Sequence, residues 1–171
     1  LDFVTAQVSE LLTNYGAIAA IWLDGIGVPL SPRDPSGARV PGFDPRWDGD
    51  TFRCQELYAH IHALQPQVLV AYKQGYLGTE DFFAPEHKAA SRFGDEFANK
   101  PGEICTTTGG GWGHVAGHPL LAAEEVWGRL EQAWAADYNL LLNVAPLPDG
   151  SLPEEAVASL TRLGERLKAR G

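Results

Sequence analysis

Two carboxylates stand out by what precedes them. Asp24 closes the apolar run Ile21-Trp22-Leu23 and is followed by Gly25. A carboxylate ending a buried strand is partly desolvated, and the glycine after it lets backbone or ligand approach closely. Asp before Gly also serves simply to cap a turn, and spacing alone leaves both roles open. Glu86 follows Phe82-Phe83-Ala84-Pro85, and apolar neighbours favour the protonated carboxyl that a general acid needs. A Glu directly after a proline equally suits the first turn of a helix, where the dipole favours it. Glu80 and Asp81 lie in the same segment and are the substitutes should Glu86 not be the acid. Paired carboxylates with Trp22, Tyr76, Phe82 and Trp112 near them in the pattern point to glycoside chemistry. That chemistry needs a nucleophile and an acid/base, and aromatic rings stack on the C–H faces of sugars.

The other chemistry-bearing residues are less specific. Lys73 sits at a strand end and is read either as a contact to substrate hydroxyls or as a surface lysine. The run Gly109-Gly110-Gly111 is no phosphate cradle, since no Gly-Lys-Ser/Thr follows it; it lets Trp112 reach a site, or is a flexible turn. His114 and His118 have no ligand spacing to other metal-type residues, so loop or satisfied polar roles are expected, and no metal or cofactor is implied. Cys54 and Cys105 make no disulfide framework and are expected as buried, inert thiols. The net charge of −9, from 13 Lys+Arg against 22 Asp+Glu, argues against nucleic acid, because phosphate contacts need clustered cations. No apolar run is long enough to span a bilayer.

The elements that must position these residues alternate. Val4, Val8, Leu11 and Leu12 recur at helical spacing until Asn14-Tyr15-Gly16. Ala17–Leu23 is apolar on both faces, as in a fully buried parallel strand. Gly25–Asp50 carries Pro29, Pro32, Pro35, Pro41 and Pro45 and is too long for a routine connector. A helix follows with Cys54, Leu57, Tyr58, Ile61 and Leu64 on one face, then a second strand at Val68–Tyr72. An irregular stretch from Lys73 to Asn99 leads to a third strand at Glu103–Thr107. A helix marked by Val126, Leu130, Ala133 and Trp134 precedes a fourth strand at Tyr138–Val144. Ser151 and Glu154 have capping-box spacing ahead of a last helix through Val157, Leu160, Gly164 and Leu167. Strands alternating with helices imply one parallel sheet with helices packed outside. Four such units are half of a (β/α)8 barrel, although an open doubly wound sheet gives the same alternation. The 171 residues are read as a single domain.

Several blocks resemble the retaining α-L-fucosidase family. Glu10-Leu11-Leu12-Thr13-Asn14-Tyr15-Gly16 followed by Ile21-Trp22-Leu23-Asp24-Gly25 is similar to the family segment that ends on the catalytic nucleophile. By that resemblance Asp24 is the nucleophile and Trp22 an aromatic lining the sugar pocket. Val70–Gly75 resembles a family strand ending in Asn-Asp-Arg-Trp-Gly but carries Ala71-Tyr72-Lys73-Gln74, which puts Lys73 where an arginine would touch the sugar. Asp81-Phe82-Phe83-Ala84-Pro85-Glu86 resembles the block whose Glu is the acid/base in many members. Glu103 and Trp112-Gly113 are similar to a strand and an aromatic that packs on the fucose methyl group, with His114 in place of a Tyr. Asn139-Leu140-Leu141-Leu142-Asn143-Val144 with Pro146-Leu147-Pro148-Asp149-Gly150 resembles the signature near the barrel's end, with Ala145 in place of a Gly.

What the resemblance implies is the C-terminal half of a catalytic domain: a (β/α)4 half of a TIM-like barrel, with parallel strands and outer helices. It implies hydrolysis of terminal α-L-fucosyl linkages in a fucosylated oligosaccharide or glycoside. The half that carries the family's substrate-binding histidines is not among these residues, and the chain, which opens inside a helical pattern and has no Met, is expected to be part of something longer. The competing expectation is a catalytically silent half-barrel that binds sugar or assembles with a partner. Open sheet edges invite pairing, and barrel-interior side chains such as Ile21 and Val70 would lack cover, so a homo-oligomer, a two-fold dimer first, is expected. The long Gly25–Asp50 loop folding over that face is the alternative.

Overall fold

The computed structural model describes residues 2–24, 53–73, 77–87, 99–109 and 111–170. The proline-rich Gly25–Asp50 loop, Tyr76 and Gly110 lie outside them. The chain divides into two compact units, Leu1–Ala84 with Ser91–Pro101, and Pro85–Ala90 with Gly102–Gly171.

In the first unit, helix α1 (Asp2–Asn14) is followed by strand β1 (Ala20–Leu23), helix α2 (Cys54–Leu64) and strand β2 (Leu69–Tyr72). Val8 and Leu12, four residues apart and hence on one helical face, are the buried positions of α1. The chain leaves α1 through Gly16, whose φ of 84° is left-handed and suits glycine. One side chain then holds the turn into β1. Gln65 Nε2 donates to the carbonyls of Leu12 at 2.7 Å and Gly16 at 2.8 Å, while its Oε1 accepts the Ile18 N–H at 2.9 Å. Strands β1 and β2 run parallel, with Ala20 opposite Leu69, Ile21 opposite Val70, Trp22 opposite Ala71 and Leu23 opposite Tyr72.

Alternation along these strands sorts their side chains. Ile21, Val70 and Tyr72 pack with Val8, Leu12, Leu57 and Ile61, and Leu23 leans on the same cluster. Ile21 and Val70 therefore belong to the layer between sheet and helices, not to an uncovered inner face as the sequence suggested. The opposite face carries Ala20, Trp22, Leu69 and Ala71, of which Leu69 is 48% exposed.

In the second unit, strand β3 (Gly102–Thr107) and strand β4 (Tyr138–Asn143) pair in parallel through all six positions, from Gly102 opposite Tyr138 to Thr107 opposite Asn143. Helix α3 (Ala123–Ala135) joins them and helix α4 (Glu154–Arg170) follows. Val126, Trp127 and Ala133 form the buried side of α3. Within α3, Trp127 meets Trp134 edge to face at 5.7 Å, and Arg166 of α4 lies 3.9 Å over the Trp127 ring, so a cation–π contact ties α4 to α3.

Three expectations change. Where a single sheet was expected, the described residues form two two-stranded parallel sheets, β1–β2 and β3–β4. Part of the stretch expected to be irregular is extended instead. In the first unit Ala84 bridges Lys73, and in the second Glu86 bridges Cys105, both in parallel. Pro85 between them has no N–H to donate, so the segment cannot extend into a regular ladder. The capping box at Ser151 does not form either. Asp149 sits two residues before Ser151 and takes both its N–H (3.0 Å) and its hydroxyl (2.6 Å), and α4 starts later, at Glu154. Glu125 instead accepts the Ala122 N–H at the start of α3, at 2.9 Å. Cys54 and Cys105 are buried thiols outside any disulfide, as expected. No helix among the described residues is long and apolar enough to cross a membrane.

Gly102 gives the sharpest test of this packing. A Cβ built there falls 2.4 Å from the Tyr138 ring, which lies across the glycine from the paired strand. Gly102→Ala is expected to destabilise the protein by about 1–3 kcal/mol through overpacking, read as a lower urea midpoint. Pairing the substitution with Tyr138→Ala is expected to restore part of the loss.

Candidate active site

The first cluster forms where the β1–β2 ladder ends. Beyond the pair Leu23–Tyr72, the Lys73 N–H donates to the Leu23 carbonyl at 2.8 Å. That extra bond carries the register one step on and sets Lys73 beside Asp24. Lys73 Nζ lies 3.4 Å from Asp24 Oδ1, with the lysine side chain 19% exposed and the aspartate 65% exposed. A pair this open to water contributes no more than about 1 kcal/mol to stability; its effect is to hold a carboxylate in place next to a fixed positive charge. Trp22, two residues back, falls on the same face as Asp24 by strand alternation. Its indole N–H is buried and has no hydrogen-bond partner among the described residues.

The two substitute carboxylates are committed elsewhere. Glu80 is completely buried, and its oxygens accept from the Tyr58 hydroxyl, the Leu77 N–H and the Gly78 N–H, each at 2.9 Å. Lys100 donates to the backbone carbonyls of Gly78 and Glu80, so a cation stands over the same turn. Asp81 Oδ2 accepts the Val70 N–H at 2.7 Å and lies 3.1 Å from His62 Nε2. These two side chains fold the 77–81 segment onto α2 and β2. Burial first, and the Glu80 carboxylate second, push the Cys54 thiol up to about 11 and hold the Tyr58 hydroxyl protonated well above its ordinary range.

The second cluster gathers around Glu86 within the second unit. Cys105 N–H donates to the Pro85 carbonyl at 2.9 Å, and His87 N–H to the Cys105 carbonyl at 2.8 Å. Glu86 is thus held in an extended segment alongside β3, which removes the reading of it as a helix N-terminal residue. Its side chain is 21% exposed, and its Oε1 lies 3.8 Å from His87 Nε2. His87 has a left-handed φ of 65°, a conformation that costs an L-residue about 1–2 kcal/mol, and its ring stacks on Trp112 at 5.5 Å and 26°. The Trp112 carbonyl accepts from Asn143 Nδ2 at 3.0 Å, which ties that loop to the end of β4. Gly109 is required where it stands. Its φ is 122°, and a Cβ there would meet the Pro119 carbonyl oxygen at 2.7 Å.

The structure brings together Asp24, Trp22 and Lys73 in one unit and Glu86 and Trp112 in the other. His87, Thr106 and Arg129 were not singled out from sequence. The only signal for them was a histidine directly after the candidate acid. His114 and His118 line a cavity with Leu120, Ala145 and Glu154. No group of three or more metal-ligating side chains occurs among the described residues.

Comparison with known proteins gives the family and the fold. A family model described as Alpha-L-fucosidase matches residues 1–171. The fold is similar to that of alpha-L-fucosidase isoenzyme 1 from Paenibacillus thiaminolyticus, with a TM-score of 0.71 and 26% identity over 98% of this chain and 38% of that one. It is also similar to alpha-L-fucosidase AlfC from Lactobacillus casei in complex with alpha-L-fucose product, with a TM-score of 0.65 and 21% identity over 98% and 45%. A third is an alpha-L-fucosidase from Bacteroides thetaiotaomicron trapped as a covalent intermediate with 2-fluoro-fucosyl fluoride, with a TM-score of 0.68 and 18% identity over 98% and 39%. The chain thus spans less than half the length of each of these structures. No curated protein matches it.

Glu80 and Cys54 yield two expectations. Glu80→Leu leaves three buried donors without their acceptor and is expected to cost about 3 kcal/mol or more in urea denaturation. A loss below about 1 kcal/mol would show that the turn finds other acceptors. The Cys54 thiol, ordinarily at 9.0, rises to about 11 in the fold. The unfolded chain therefore releases this proton first as pH rises, so the contribution is fully present below 9.0 and is lost progressively towards 11. Stability followed across that range is expected to fall, and Cys54→Ala is expected to flatten the fall.

Proposed function

The chain belongs to the alpha-L-fucosidase family, and on that premise we propose that it carries out retaining hydrolysis of terminal α-L-fucosyl linkages, with Asp24 as nucleophile and Glu86 as acid/base. The observation that carries the proposal is the strand end itself: a carboxylate at the C-terminal end of a parallel strand, where α/β enzymes gather their chemistry, with Lys73 Nζ 3.4 Å away. In the first step Asp24 attacks the anomeric carbon while Glu86 gives its proton to the departing glycosidic oxygen. In the second, Glu86 takes a proton from water, and that water displaces Asp24 from the sugar. The covalent intermediate trapped in the Bacteroides thetaiotaomicron relative supports this two-step route.

The remaining residues have supporting roles in the same reading. Lys73 holds Asp24 in line, and its ammonium is placed to meet a sugar hydroxyl. Trp22 offers an apolar ring face and an indole N–H, and Trp112, 41% exposed, offers a second ring face. The four parallel strands are read as a (β/α)4 portion of a TIM-like barrel. The substrate is a fucosylated oligosaccharide or glycoside.

A second reading is a catalytically silent sugar-binding or assembly module, which the ring faces of Trp22 and of the 41% exposed Trp112 suit as well. Under either reading a second copy is the proposed partner, now through the β1–β2 face bearing Ala20 and the 48% exposed Leu69 rather than through Ile21 and Val70. Sedimentation is expected to show a concentration-dependent dimer that Leu69→Asp weakens. An 18.5 kDa monomer at all concentrations would remove it.

Release of 4-nitrophenol from the α-L-fucoside, against the galactoside and xyloside, tests the main proposal. Asp24→Ala is expected to abolish turnover. Glu86→Gln is expected to slow substrates with poor leaving groups by about 10²–10⁴-fold while sparing good ones. Fucose binding without turnover in the unsubstituted chain would select the second reading, and loss of both would reject the site.

A further inference from the structure

We propose that His87 is a positioning residue for Glu86, its proton fixed on Nε2 by a hydrogen-bond chain that runs from Arg129 through Thr106. The proposal rests on the reading of Glu86 as the acid/base. A guanidinium can only donate, so Arg129, with NH1 2.8 Å from Thr106 Oγ1, makes that oxygen an acceptor. Thr106 is completely buried, and a buried hydroxyl proton needs an acceptor of its own. The acceptor in reach is His87 Nδ1, 3.1 Å from Thr106 Oγ1. Thr106 therefore donates to Nδ1, and the neutral imidazole carries its proton on Nε2. That nitrogen faces Glu86 Oε1 at 3.8 Å, a separation that a modest side-chain shift or a single bridging water closes.

The ring cannot easily turn away. Its backbone is left-handed, at a φ of 65°, its face lies against Trp112, and Thr106 pins Nδ1. Arg129 is held in turn by a second bond, to the Thr107 carbonyl at 3.3 Å. The consequence for chemistry is which carboxyl oxygen does the work. An N–H donor facing Oε1 favours the proton of the acid form on Oε2, so Oε2 protonates the leaving oxygen. When that proton has gone, the same N–H steadies the carboxylate that must next take one from water. The role belongs to proton transfer and not to sugar binding, and that separates it from simple packing.

Two readouts test it. Nitrogen-correlated NMR of the imidazoles, with the signal assigned by its loss in His87→Phe, is expected to show His87 protonated on Nε2. Thr106→Val is expected to release it into a mixture of tautomers, and Glu86→Gln to move the Nε2 signal. A proton resident on Nδ1 in the unsubstituted chain overturns the proposal, whatever the activity. In turnover, His87→Phe keeps the ring against Trp112 but loses the donor. It is expected to lower kcat about tenfold on aryl fucosides with poor leaving groups while leaving the 2,4-dinitrophenyl fucoside nearly unchanged, a fraction of the full general-acid effect. His87→Gln, which keeps an N–H near the same point, is expected to recover part of the loss. A loss equal on all leaving groups, or none, sinks the positioning role if Glu86→Gln still discriminates among them. If Glu86→Gln does not discriminate, it is the assignment of Glu86 that fails.

Discussion

The parallel register of β1 on β2 is the constraint from which the rest of the first unit follows. Because side chains alternate, a slip of one residue by either strand would exchange that strand's two faces. A slip of β1 would put Trp22 against α1 and α2 and expose Ile21, and a slip of β2 would do the same with Ala71 and Val70. Packing of Ile21, Val70 and Tyr72 with Val8, Leu12, Leu57 and Ile61 therefore selects one register out of several by hydrophobic burial alone. Once that register is set, the bond from Lys73 N–H to the Leu23 carbonyl leaves Asp24 and Lys73 side by side. The ion pair at the strand end is thus a product of the core, held by it and adding little back to it.

Carboxylates in this protein divide by how their charge is met. Glu80 is removed from water, and a hydroxyl and two backbone N–H groups meet it, with no capacity left for a substrate. A buried charge is tolerable only when met in this way. Asp24 keeps most of its contact with water and has the Lys73 ammonium beside it. Glu86 lies between the two, one-fifth exposed, with an imidazole near one oxygen. The acid/base role proposed for Glu86 needs this intermediate state, since a carboxyl group that is fully satisfied cannot give or take a proton at working cost.

The second unit solves a related problem with β3. Gly102 yields its side-chain space to the Tyr138 ring, and four residues on, Thr106 turns a buried hydroxyl into the joint between Arg129 and His87. Strand β3 thus serves packing at one end and hydrogen-bond relay at the other. The strain of the left-handed His87 backbone is sustained by what surrounds it, a stacked Trp112 and a pinned Nδ1, in keeping with the placement of strained residues at functional positions.

From the residues alone, the elements and the end of β1 were legible. Apolar runs bounded by Gly, Asn and Pro give strands and helices because backbone propensity and burial period are local properties, so α1 at Asp2–Asn14, the strand ending before Asp24 and the parallel sense of the ladders were all within reach. Side-chain direction was not. Runs apolar on both faces, such as Ala17–Leu23, carry no alternation to say which residues face the helices, and Ile21 and Val70 were accordingly put on the wrong side. Apolar neighbours and the family resemblance single out Glu86 over Glu80 and Asp81, but nothing local says how the charge of each acid is met. Only the fold decides that Tyr58 and the N–H groups of Leu77 and Gly78 fill Glu80, that Val70 N–H and His62 engage Asp81, and that Cys105 holds the backbone on either side of Glu86. Those partners come from up to 22 residues away in the chain, and no local rule ties a carboxylate to a donor that tertiary packing alone brings near.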